Sequence, residues 1–148
     1  MRRVAWSILY ARLALGAAFL SAVASRFGLW THQPAAARFK EFIAYTGEVC
    51  AFMPARVIPL LAWSATAAET AFGIALIAGF KLRETAFGAA ILLAMFGLAM
   101  AISQGVKSPL DYSVFSASAA ALLVALEARD RNSRSFAKTV VPQRNQPI

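Results

Sequence analysis

The chain has 148 residues, 59% of them hydrophobic and 15% charged, with a mean hydropathy of +0.60 and a formal charge of +8. This balance excludes an ordinary soluble domain, which would leave much of its apolar surface in water, and fits a single membrane domain. The positive charge is no nucleic-acid footprint, because it gathers in tails and short loops between apolar runs, where it orients a chain in a bilayer.

Four apolar segments, at about Val4 to Trp30, Val57 to Phe80, Thr85 to Gln104 and Leu110 to Ala128, each approach the length that spans hydrocarbon as a helix. They predict an all-α membrane protein, a four-transmembrane-helix bundle over residues 1–128, with a basic tail at 129–148 whose polar, Pro-containing composition reads as disordered. Four crossings place both termini on one face. Arg2, Arg3, Lys81, Arg83, Arg129, Arg131, Arg134, Lys138 and Arg144 fall on that face, against Arg38, Lys40, Arg56 and Lys107 on the other, so both termini are expected to be cytoplasmic. The bilayer is the first expected partner, and the basic tail can also touch anionic lipid.

In the first segment, "MRR" followed by an apolar stretch and "SAVAS" imitates a cleavable signal peptide, but Arg12 interrupts the apolar region and cleavage would leave three crossings. The segment is therefore read as a retained crossing. At about 100° per residue, Arg12, Gly16, Phe19, Val23, Arg26 and Trp30 share one face. The loop that follows carries Phe39, Phe42, Ile43, Val49, Cys50 and Met53 near helical spacing between Pro34 and Pro54, which predicts an amphipathic interfacial helix. A structural lid and a substrate gate both suit such a helix.

The second segment holds a carboxylate, Glu69, in the run "TAAETAFGIALIAGF". A charge there is costly without a partner, and Ala62, Thr66, Gly73 and Leu76 on the same face allow close helix approach, so the face should point into the bundle. Depth reckoned from the segment ends makes Arg12 the expected partner of Glu69, with charge-assisted hydrogen bonds offsetting desolvation. The alternative is that Glu69 serves as a proton or ligand site. At the start of the fourth segment, "GVKSPLDYSVF", Ser108 is expected to cap a helix beginning at Pro109, with Asp111 in its first turn and within reach of Arg26. Tyr112 and Trp30 suit an aromatic interface belt.

One cysteine, Cys50, forms no CxxC pair, and one histidine, His32, read as a loop residue, cannot build a bis-histidine haem or a His-rich metal site. No phosphate loop, nucleophile elbow or metal knuckle occurs. An independent enzyme is not expected.

The stretches "RLALGAAFLSAVASRFG", "AETAFGIALIAGFKLR" and "GVKSPLDYSVFSASAAALLVAL" together resemble the DoxX-like family of small bacterial integral membrane proteins, over about Arg12 to Leu126. The resemblance implies a four-helix bacterial inner-membrane bundle linked to quinone-connected sulfur oxidation or membrane-associated redox complexes. It highlights Arg12, Glu69, Gly73 and Gly79, with Arg26 and Asp111 less securely matched. The absence of paired cysteines departs from the thiol-redox members of the wider group. The function expected on this basis is a non-catalytic or accessory subunit of a membrane redox system, with a soluble redox protein or a quinone as further partners and a homo-oligomer as one arrangement. The residues themselves require no cofactor. A quinone-linked oxidoreductase subunit is the second reading, with Arg12, Glu69 and Trp63 supplying polar groups to a quinone, and a small transporter the third.

Overall fold

Glycines stop the long helices before the apolar runs end. The computed structural model describes residues 2–31 and 33–140, with side chains described for 5–31 and 33–128. Helix α1, Arg2–Arg26, closes where Gly28 takes φ 74°, with the Gly28 N–H donating to Ser25 O and the Leu29 N–H to Ala24 O. Only a residue without Cβ adopts this left-handed turn cheaply, so the helix ends short of Trp30. Trp30 leaves the face predicted for it: it is 68% exposed and donates from its indole to Ser21 O.

Helix α2, Ala35–Val49, is the amphipathic element of the first loop, bounded by Pro34 and followed by a single 3₁₀ turn, Ala55–Val57. Its buried residue, Phe39, packs against Phe27 and Trp63 with ring centroids 5.6 and 4.2 Å apart. Helix α3, Ile58–Ala78, ends at Gly79 in the same left-handed manner as α1. A tight turn through Lys81, itself at φ 38°, then starts helix α4, Leu82–Gln104.

The fourth predicted segment is interrupted. A short helix α5, Lys107–Asp111, precedes a turn in which Ser113 has φ 54°, and helix α6 runs Val114–Val140. Ser108 is not the predicted cap: it lies inside α5, because its N–H already closes a turn on Gly105 O, and its hydroxyl donates to Gln104 Oε1 at 2.8 Å. The backbone of 129–140 continues α6 where composition alone reads as a disordered tail; residues 141–148, like His32, lie outside the described residues.

All elements among the described residues are helical, and three helical stretches, Ala5–Arg26, Ala55–Ala78 and Leu82–Gln104, are long and apolar enough to cross a membrane. The apolar part of α6, Val114–Ala128, is shorter, about 22 Å at 1.5 Å per residue against a hydrocarbon core of about 30 Å. The architecture is compatible with a membrane helical bundle, and large apolar side chains such as Ile91, Met95, Leu98 and Ile102 point outward from α4.

Two helix pairs build the core. Helix α1 packs on α3, and α4 on α6. Small residues set the first approach: a Cβ on Gly16 would lie 2.9 Å from Gly73 O, so α1 and α3 touch backbone to backbone. In the second pair, Ala86, Ala89 and Ala90 of α4 meet Ala121, Val124 and Ala125 of α6 in a buried seam, tied by the Ser118 hydroxyl donating to Ala90 O at 2.7 Å.

Candidate functional site

The face predicted for the second segment is the face α3 buries: Ala62, Thr66, Glu69, Gly73 and Leu76 all lie inside. Glu69, 2% exposed, pairs with Arg26 and not with Arg12. The Arg26 guanidinium donates from Nη2 to Glu69 Oε1 at 2.7 Å and from Nη1 to Thr66 Oγ1 at 3.1 Å. The Thr66 hydroxyl in turn donates to Ala62 O at 2.8 Å, which fixes its lone pairs toward the arginine.

The physical reason for this exchange of partners is the antiparallel register. Gly16 lies against Gly73 and Ile77, which brings Arg12 to Gly79 and Arg26 to the level of Thr66 and Glu69. Gly79 is ten residues beyond Glu69, about 15 Å along the axis, too far for a guanidinium. Arg12 instead lies against Gly79, where a Cβ would collide with its Nη1 and where the carbonyl end of α3 favours a cation. Reckoning depth from the segment ends misses this because α1 projects past the end of α3.

Asp111 is likewise not the partner of Arg26. It pairs with Lys107 one turn earlier in α5, and both side chains are largely exposed, at 56% and 85%. Trp63 faces the underside of α2, tilted against both Phe39 and Phe27, and does not line the space around Glu69.

That space is a cavity of about 360 Å³. Its walls come from α1, α3, α4 and α6, with α2 and Tyr112 closing one end; Phe19, Phe42, Leu93, Phe96 and Met100 supply much of the apolar surface. Arg26 and Glu69 are its charged groups, and Phe42 of α2 lies over the guanidinium, with Arg26 Cζ 3.8 Å from the ring centroid. This cation–π contact covers one face of the cation while Nη1 and Nη2 are each hydrogen-bonded. Glu69 Oε2 is buried without a hydrogen-bond partner. An apolar chamber of this size with a few convergent polar groups has the character of a small-molecule site.

The cavity itself was not readable from the sequence, but the spacing of Phe39 and Phe42 that predicts α2 also marks the two residues that seat it: Phe39 on Trp63, Phe42 on Arg26. Cys50, the single cysteine, lies at the cavity edge beside Thr46 and Val49, and burial pushes its thiol up from the ordinary value. Among the described residues no group of three or more His, Cys, Asp or Glu side chains is arranged to hold a metal ion. No family model, curated protein or solved structure matches the chain.

Proposed function

We propose that this chain is a membrane-embedded bundle that binds a small, largely apolar molecule with a polar head beneath α2, serving as an accessory rather than an independently catalytic subunit. The observation that carries the reading is the cavity: about 360 Å³, mostly apolar, with one buried ion pair whose carboxylate keeps an unpartnered oxygen. A pair serving only to hold helices together would be expected to have its remaining lone pairs satisfied, because an orphaned buried oxygen costs about 1–3 kcal/mol or more. The DoxX-like resemblance adds a bacterial inner membrane, a redox setting and a quinone as one candidate occupant. The distribution of basic residues adds cytoplasmic termini.

The test is mild-detergent purification of wild type and Glu69→Gln from native membranes, with extracted small molecules and copurifying proteins identified by mass spectrometry. The expected result is an amphiphilic molecule retained by wild type and depleted from an equally abundant mutant. A wild-type protein that carries no molecule, and whose Cys50 is labelled by maleimide at the same rate with and without added membrane extract, would refute it.

A further inference from the structure

Resting on the cavity reading above, we infer that the occupant is a neutral amphiphile whose head donates a hydrogen bond, a phenolic or alcoholic hydroxyl, and that Glu69 is the group that selects it. Three observations lead there. Glu69 lines the cavity and is 2% exposed, yet only one of its oxygens is used. The terminal torsion of a glutamate is broad, so rotation about it turns the unused oxygen toward the wall while the other stays on Arg26. A molecule that fills the chamber excludes water from that oxygen, and its head must then supply the missing donor.

Arg26 does not make this requirement symmetrical. Its guanidinium already donates to Glu69 and Thr66 and lies under the Phe42 ring, and any N–H left over serves a hydroxyl and a carbonyl equally well, since both accept. A hydroxyl satisfies both sides of the pair. A carbonyl or ether satisfies only the arginine and leaves the carboxylate oxygen dry and unpartnered. For a lipid-soluble carrier that exists in both forms, this favours the reduced, hydroxyl-bearing form over the oxidised one.

Charge argues for a neutral head. Arg26 and Glu69 sum to zero, so an ammonium head would bring an uncompensated charge into an apolar chamber, whereas a hydroxyl brings none. The donor requirement alone should separate otherwise similar ligands by roughly tenfold or more.

The experiment compares 4-pentylphenol with its methyl ether on the full chain in lipid nanodiscs, reading protection of Cys50 at the cavity edge from maleimide labelling. The expected result is half-maximal protection by the phenol at a concentration at least tenfold below that for the ether. In Glu69→Gln the side-chain amide offers an N–H beside the oxygen that Arg26 uses, so the preference should fall to within about twofold. Equal protection by both probes in wild type overturns the donor requirement while leaving the cavity reading intact. A preference that persists in Glu69→Gln overturns the role of Glu69. Protection by neither probe overturns the inference together with the cavity reading, and the wild-type comparison decides even where Glu69→Gln does not accumulate.

Discussion

Replacing the buried pair by leucines separates the partner that the register brings to Glu69 from the one that depth alone suggests. Arg26 and Glu69 are 2.7 Å apart, with side chains 11% and 3% exposed. Arg26→Leu strands the carboxylate, and Glu69→Leu strands the guanidinium; each should cost about 3–5 kcal/mol, the usual penalty for breaking a buried pair from one side. The double variant strands neither. It should cost no more than about 2 kcal/mol, giving a coupling energy of at least about 4 kcal/mol between the two sites, above the 0.5–3 kcal/mol common for touching residues because both charges are out of water.

Arg12→Leu provides the internal control. The Arg12 guanidinium lies at Gly79, about 15 Å from Glu69 along the axis, and its helix-terminus interaction contributes about 0.3–1 kcal/mol. Arg12→Leu and Glu69→Leu should therefore add to within about 0.5 kcal/mol. The assay is reversible SDS unfolding of the reconstituted protein, followed by helical circular dichroism for all singles and both doubles. A coupling above about 1 kcal/mol for the Arg12 cycle, together with additivity in the Arg26 cycle, would refute the register argument.

Gly79→Ala should destabilise the fold by about 1–2 kcal/mol, since Gly79 has φ 73° and a Cβ there meets Arg12; adding Arg12→Ala should relieve the collision but not the backbone strain. Asp111→Ala should change stability by no more than about 0.5 kcal/mol and leave Cys50 protection untouched, because its pair with Lys107 is exposed; a large loss of ligand protection would show that Asp111 takes part in binding. Cys50 labelling should accelerate with pH and reach half its maximal rate above the ordinary thiol value of 9.0, because burial disfavours the thiolate that reacts. A half-maximal rate at or below that value would show that the thiol is not shielded.

The helices and the inward faces were readable because each rests on a local pattern. The apolar runs and the spacing of Ala62, Thr66, Glu69, Gly73 and Leu76 are short-range signals, whereas the left-handed stops at Gly28 and Gly79 fall short of the ends that the apolar runs suggest. The partner of Glu69 was not readable because it depends on how far one helix slides along another. Gly16 against Gly73 sets that slide, and the contact involves two residues whose side chains carry no chemical label. The break at Ser113 was missed for a related reason: a serine at φ 54° is held there by its surroundings and not by preference. Trp63 was assigned to a polar role by its indole, whereas packing turns it toward Phe39.

The position of the cavity follows from the same pairing. Helix α1 is drawn to α3 through glycines and α4 to α6 through alanines, so the two tight pairs use up the small residues on their contact faces. What remains toward the α2 end of α1 and α4 is a mixture of bulky and small side chains, Phe19 with Ala18 and Ala22 on one side and Leu93, Phe96 and Met100 with Ala99 on the other, and it leaves the space between them open. Helix α2 covers that space without filling it, because Phe39 is committed to Phe27 and Trp63 and Phe42 to Arg26. The ring that seats the cover thus rests on the cation that holds Glu69.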